Sequence, residues 1–225
     1  MKKYSTLLLD ADNTIFDFTR AEANAIEITC KKLNIPFSKE VGRLYSKIND
    51  SLWKQLEKGE VTRNEIKVER FRQLKEMLSL DASAEEMAQT YIKELSLQCP
   101  IIEGAQDALK ILSNRYDLYI VTNGNAPVQR SRMEKSGLMS YFKGVFISEE
   151  LGSPKPEKQF FNKVFEAVKE KDKSRICIIG DSMSSDILGG INAGIDTCWF
   201  LKYKSEETYI PTYKAKNFEE VLKIF

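Results

Sequence analysis

From Gly104 onward the chain alternates short apolar runs with amphipathic stretches, and this grammar limits the fold more than any other feature. Strands separated by helices build a parallel sheet with helices on both faces. The spacing predicts helices at 105–114, 127–136, 157–169 and 184–193, and strands at 118–122, 144–147, 176–179 and 197–201, with a closing helix at 218–225. Gly137 and Gly194 stand where two of these helices stop. The apolar run at 4–9 supplies a fifth strand of the buried, parallel kind. The expected core is therefore an α/β, doubly wound (Rossmann-like) parallel sheet of five strands.

The stretch from 17 to 99 follows a different pattern, with helical periodicity and no convincing strand. Ala21, Ala25, Ile28, Thr29 and Leu33 recur at helical spacing until Asn34 and Pro36 end the segment. Shorter helices are expected at 38–48 and 51–58. Thr62 followed by Glu65 is a capping box and opens a helix through Ile66, Phe71, Leu74 and Leu78; Ser83 with Glu86 opens another through Met87, Tyr91 and Leu95. Residues 1–16 and 100–225 thus form the core domain, and 17–99 an inserted all-helical cap domain. An insertion placed just after the first strand is expected to rise over the crevice at the strand ends, excluding water and adding substrate contacts.

The first strand ends in Asp10-Ala-Asp12-Asn-Thr14. In an open α/β sheet the crevice beyond the carboxyl ends of the strands is where ligands bind, so both aspartates are candidates for chemistry. Two acids this close repel unless a cation or a shared proton holds them, and Mg²⁺ is the expected cation. Three more groups follow predicted strands in the same way: Thr122-Asn123-Gly124, then Lys155 in Gly152-Ser-Pro-Lys-Pro156, then Asp181 with Asp186. Taken singly, each has a plain reading as a turn, a solvated lysine or a helix cap. Their joint order, each at the end of its own strand, suits phosphoryl transfer. Carboxylates hold Mg²⁺, while Lys155 and the Thr122, Asn123 and Gly124 segment bind phosphate oxygens. Asp10 can act as nucleophile and Asp12 as acid and base.

Other site types are excluded. The chain has no histidine, which removes Ser-His-Asp and Cys-His catalysis, histidine zinc sites and haem ligation. A calcium loop starting at Asp10 fails because Ile15 stands where glycine is needed and Ala21 where glutamate is needed. The glycines near 189–194 fit neither GxGxxG nor a P-loop. With 34 basic and 33 acidic residues, nothing draws nucleic acid or an anionic membrane over long range. The four cysteines show no CxxC spacing and are expected to be buried reduced thiols. No apolar segment is long enough to span a bilayer, and 1–4 runs directly into an apolar stretch, so a cytoplasmic protein is expected.

With these residues in place, the sequence resembles the haloacid dehalogenase superfamily of phosphohydrolases over its whole length. Asp10-Ala-Asp12-Asn-Thr14, Thr122, Lys155 and Gly180-Asp181-Ser-Met-Ser-Ser-Asp186 match the four motifs in order. The resemblance implies Asp10 as nucleophile, Asp12 as general acid and base, and Thr122 and Lys155 as phosphate binders. It also implies Mg²⁺ held by Asp10, the Asp12 carbonyl and Asp181, with Asp186 in support. True dehalogenases of the superfamily lack the second aspartate, so Asp12 argues for phosphate ester hydrolysis.

Within the superfamily the chain looks most like the bacterial pyrimidine 5'-nucleotidases. The stretches concerned are Asn49-Asp-Ser-Leu-Trp53, Glu57-Lys-Gly59, Arg70-Phe71, Ile147-Ser-Glu-Glu-Leu-Gly152, Asp186-Ile-Leu-Gly-Gly-Ile-Asn-Ala-Gly194 and Thr197-Cys-Trp199. Phe16 is expected to face the crevice, and Asn49 and Trp53, four apart, to share one helix face, an aromatic and amide set suited to a planar base. The implied enzyme hydrolyses a small-molecule phosphate ester, a nucleoside 5'-monophosphate first, as a monomer or weak homodimer. N-acylneuraminate phosphatases, other capped sugar-phosphate phosphatases and β-phosphoglucomutase-like enzymes share much of this pattern. A second class, the receiver-like phospho-aspartate module, uses a similar acid, threonine and lysine set without turnover. Release of phosphate from monoesters separates the two classes.

Overall fold

A computed structural model describes residues 3–201 and 206–225. Its chain divides into two compact units, Met1–Phe18 with Cys99–Phe225, and Thr19–Gln98.

The first unit is built on a parallel six-stranded sheet in the order β3-β2-β1-β4-β5-β6, with β1 Thr6–Leu9, β2 Asp117–Thr122, β3 Gly144–Ile147, β4 Ile176–Gly180, β5 Asp196–Phe200 and β6 Tyr213–Ala215. The expectation of five strands misses β6, a three-residue edge strand carrying Lys214, too short and too polar to show in a periodicity. Alternate residues of each strand face opposite sides, and both sides are apolar. Leu7, Leu9, Leu118, Ile120, Cys177 and Ile179 pack with α5 (Ala105–Ser113) and α10 (Phe218–Ile224). Leu8, Tyr119, Val121, Ile176 and Ile178 pack with α8 (Lys158–Ala167). The strand order reverses at β1, which pairs with β2 on one side and β4 on the other. That switch point opens the crevice where a doubly wound sheet binds ligands.

Two more helices of this unit carry the connections that matter below: α6 (Ala126–Ser136) and the short α7 (Ser148–Leu151). The helix expected at 184–193 is interrupted. A π-helical turn at Met183–Ile187 precedes α9 (Leu188–Ala193), which ends on Gly194 in the left-handed region. Such turns widen a helix locally and bring side chains to positions a regular α-helix denies them.

The second unit is helical: α1 (Phe18–Lys32), α2 (Lys39–Glu57), α3 (Arg63–Leu78) and α4 (Ala84–Leu95). The capping box of Thr62 and Glu65 is formed in full. The two short helices expected around 38–58 are one. Tyr45, Ile48, Asn49 and Leu52 bury a continuous stripe across Asp50 and Ser51, and that packing overrides the local stop signal. Tyr45, Phe71 and Tyr91 meet with ring centroids 5.2, 5.1 and 5.4 Å apart and form the aromatic centre of the unit.

All four cysteines are free thiols; Cys30, Cys177 and Cys198 are buried and Cys99 half-buried. No helix among the described residues is long and apolar enough to cross a membrane.

Candidate active site

The Asp10 N–H continues the sheet by donating to the Ile179 carbonyl at 2.9 Å, and the chain then turns sharply. Ile15 and Phe16 both donate their N–H groups to the Ala11 carbonyl, at 3.0 and 2.8 Å. Asn13 takes φ of 57°, a left-handed conformation that asparagine tolerates better than most residues. This turn sets Asp10 and Asp12 at the tip of β1.

Lys155 connects the carboxylates. Its Nζ donates to Asp10 Oδ1 at 2.6 Å, to Asp186 Oδ1 at 2.6 Å and to the Val121 carbonyl at 2.7 Å, which uses all three protons of a fully buried ammonium. Its backbone is clamped by Asn123, whose Nδ2 donates to the Lys155 carbonyl and whose Oδ1 accepts the Lys155 N–H, both at 2.9 Å. The Asn123 side chain, expected against phosphate, is therefore committed to placing Lys155. The Gly124 N–H is also engaged, donating to Thr122 Oγ1 at 3.0 Å. As an acceptor there, the Thr122 hydroxyl keeps its own proton for another partner.

Asp186 is placed by the π-helical turn. Its Oδ2 accepts from the Ser182 N–H at 3.1 Å while Oδ1 meets Lys155. A Cβ on Gly180 would stand 2.2 Å from the Asp186 carboxyl, so this position requires glycine. Asp181 follows β4, and Trp199 on the adjacent strand donates Nε1–H to its carbonyl at 2.8 Å. The carboxylates of Asp10, Asp181 and Asp186 offer oxygens that all lie within 4.8 Å of one another.

Three carboxylates here face one ammonium, a formal deficit of two positive charges. Burial, partly offset by Lys155 and reinforced by Asp186 and Asp12, pushes the Asp10 carboxyl up to about 7. Burial, then the charges of Asp10 and Asp186, push Asp181 well above the ordinary carboxylate range. Burial works against the Lys155 charge, but Asp10 and Asp186 outweigh it and hold the ammonium above its usual range. An all-oxygen donor set lacking two positive charges fits a hard divalent cation, and a chain without histidine offers little to zinc.

The Asp12 carboxylate stands apart from this cluster. Gln129 Nε2 donates to Oδ2 at 2.5 Å and Arg132 Nη1 to Oδ1, both from α6. Arg132 is fully buried, its guanidinium 4.6 Å from the centroid of the Phe16 ring. Sequence reasoning passed over Gln129 and Arg132, and noted Trp199 only within the stretch Thr197-Cys-Trp199. A signal existed for Gln129 and Arg132: they lie three apart on one face of the helix that leaves the Thr122 turn.

The three residues proposed for substrate recognition are placed differently from one another. Phe16, expected to face the crevice, is fully buried in the core, because the β1 turn folds it back beneath Arg132 and beside Ile101. Asn49 is also buried: its Nδ2 donates to Glu22 at 2.8 Å and its Oδ1 accepts from Arg70 Nη1 at 3.1 Å, so both ends of the amide serve the helical unit. Trp53 remains partly exposed on α2, with the Arg63 guanidinium 5.6 Å from its ring.

Residues 7–200 match the haloacid dehalogenase-like hydrolase family. The chain belongs to that family. HAD-hydrolase YfnB of Bacillus subtilis strain 168 is 40% identical over 227 residues, covering 100% of this chain and 96% of YfnB. A crystal structure of YfnB bound to magnesium matches this fold with a TM-score of 0.92 over 99% of both chains. Pyrimidine 5'-nucleotidase PynA of Streptococcus pneumoniae is 36% identical, covering 97% of this chain and 94% of PynA. Pyrimidine 5'-nucleotidase YjjG of Escherichia coli K12 is 31% identical, covering 97% and 96%. A haloacid dehalogenase-like hydrolase is what the six-stranded sheet and its crowded strand ends describe.

Proposed function

We propose that this protein is a phosphate monoester hydrolase that uses Mg²⁺ and forms an aspartyl-phosphate on Asp10. The observation that carries the reading is the clustering of the Asp10, Asp181 and Asp186 carboxylates at the switch point of the sheet, with Lys155 bonded to Asp10 and Asp186. Lys155 occupies Asp10 Oδ1, which leaves Oδ2 to attack phosphorus. The bond from phosphorus to the leaving oxygen breaks as Asp12 gives that oxygen a proton. Asp12, now a carboxylate, takes a proton from water as the water oxygen attacks the aspartyl-phosphate; the bond to Asp10 breaks and inorganic phosphate leaves. The Thr122 hydroxyl would donate to a phosphoryl oxygen, while Lys155, whose three protons serve Asp10, Asp186 and the Val121 carbonyl, would lend its positive charge beside them. Held by Asp10, Asp181 and the Asp12 carbonyl, Mg²⁺ would supply positive charge to those oxygens.

Phosphate release is expected to vanish in excess chelator and to return with Mg²⁺. Asp181→Ala should raise the Mg²⁺ concentration needed for half-maximal rate by about tenfold or more, since it removes one of few charged ligands. Full activity in chelator, or an unchanged metal requirement, would refute the metal assignment.

We infer further that the substrate is a nucleoside 5'-monophosphate with a pyrimidine base. Near full-length similarity to two proteins named pyrimidine 5'-nucleotidases supports this. A phosphate-release screen over nucleotides and sugar phosphates should place pyrimidine nucleotides first; preference for an acylated sugar phosphate would favour the N-acylneuraminate reading. Trp53→Ala should raise KM for the nucleotide far more than for p-nitrophenyl phosphate. Asn49→Ala should instead lower thermal stability, because it removes the partner of Glu22 Oε1 and of Arg70 Nη1 inside the helical unit. Equal kinetic losses on both substrates for Trp53→Ala would reduce that residue to a structural one.

A further inference from the structure

Arg132 presents a full positive charge with none of its side chain exposed, and Asp12 is the carboxylate it meets. Burying a guanidinium is costly unless a partner compensates it, so this pair is not an incidental surface contact. Gln129 takes the other oxygen of the same carboxylate, and the Gln129 side chain is itself buried. Both donors lie on one face of α6, the helix that leaves the Thr122 turn. The turn makes room for them: a Cβ on Gly124 would fall 2.1 Å from Gln129 Nε2 and 2.9 Å from its Cδ. Gly124 does not hold a left-handed conformation, and the nearest obstacle to a side chain there is that of Gln129.

We infer that Gln129 and Arg132 are positioning residues that aim the Asp12 carboxylate for proton delivery to the leaving group, with Gly124 keeping the space they need. The inference rests on the aspartyl-phosphate reading above. Each Asp12 oxygen keeps a second lone pair beside the one its partner uses, so the clamp fixes direction without blocking proton transfer. A carboxylate with two fixed donors from one rigid helix loses its freedom to rotate, so its orientation is set by α6.

The test uses phenyl phosphates that differ only in ring substituents, so that size and binding are held constant while the leaving group varies. A poor leaving group needs the Asp12 proton and a good one, such as p-nitrophenolate, hardly does. Gln129→Leu, Arg132→Lys and Gly124→Ala, each confirmed as folded by its thermal transition, should lose kcat/KM by about ten- to a hundredfold on the poorest leaving group, and by only a few-fold on p-nitrophenyl phosphate. Gly124→Ala should add little to Gln129→Ala, because the residue it displaces is gone. Equal losses along the whole series, or a Gly124→Ala effect that persists undiminished in the Gln129→Ala background, would overturn the inference. A wild-type protein that hydrolysed none of these esters would overturn the phosphatase reading, and the inference with it.

Discussion

Asp10→Asn is expected to reduce phosphate release by at least about a thousandfold while the protein remains folded. The amide nearly preserves the size of the carboxylate but cannot attack phosphorus, and Asp10 is the strand-tip acid bound to Lys155. The substitution also removes one of three mutually repelling carboxylates from a buried cluster. Its thermal transition without metal should therefore be no lower than that of the wild type, which sets a catalytic loss apart from a structural one. Retention of even a tenth of wild-type turnover would mean that another group attacks.

Lys155→Met should be the most damaging single change in the core unit. Methionine fills similar volume, but it leaves Asp10 and Asp186 facing each other and the Val121 carbonyl without its donor. Breaking a buried ion pair on one side typically costs about 3–5 kcal/mol, because the surviving charge stays buried without compensation. For a chain of this size that is a fall in Tm on the order of 10 °C. Added Mg²⁺ should recover part of the loss, since it supplies positive charge to the same carboxylates, although activity should stay lost. A Tm within a degree or two of wild type in the absence of metal would show that Lys155 is not the centre of the charge cluster.

The parts of this arrangement that depend on local chain chemistry were legible in the sequence. Apolar runs placed β1, β2, β3, β4 and β5, and their ends located Asp10, Thr122 and Asp181, while Lys155 follows β3 only after the short α7. The edge strand at Tyr213–Ala215 was not legible, because pairing with β5 rather than its own composition makes it a strand. The π-helical turn at Met183–Ile187 was equally hidden; Asp186, which it carries, meets the Ser182 N–H and the distant Lys155.

Long-range partners were the hardest to read. Asp12 and Arg132 are 120 positions apart, and only the fold shows that a buried guanidinium answers the second aspartate. Phe16 looked like a crevice residue because it follows the catalytic turn, but that turn folds back and buries it. Asn49 looked like a base-reading amide because of its helix position, and Glu22 and Arg70 take both ends of it. In each case the sequence told what the side chain could do, and tertiary packing decided with whom.

The central claim is that Asp10 becomes covalently phosphorylated during turnover. Acid quenching of the protein within its first turnovers on a phosphate monoester, followed by peptide mapping by mass spectrometry, tests it directly. A phosphoryl group on the peptide containing Asp10, lost on treatment with hydroxylamine and absent from Asp10→Asn, is the predicted result. Turnover with no phosphorylated peptide, or with the label on a residue other than Asp10, would contradict the account.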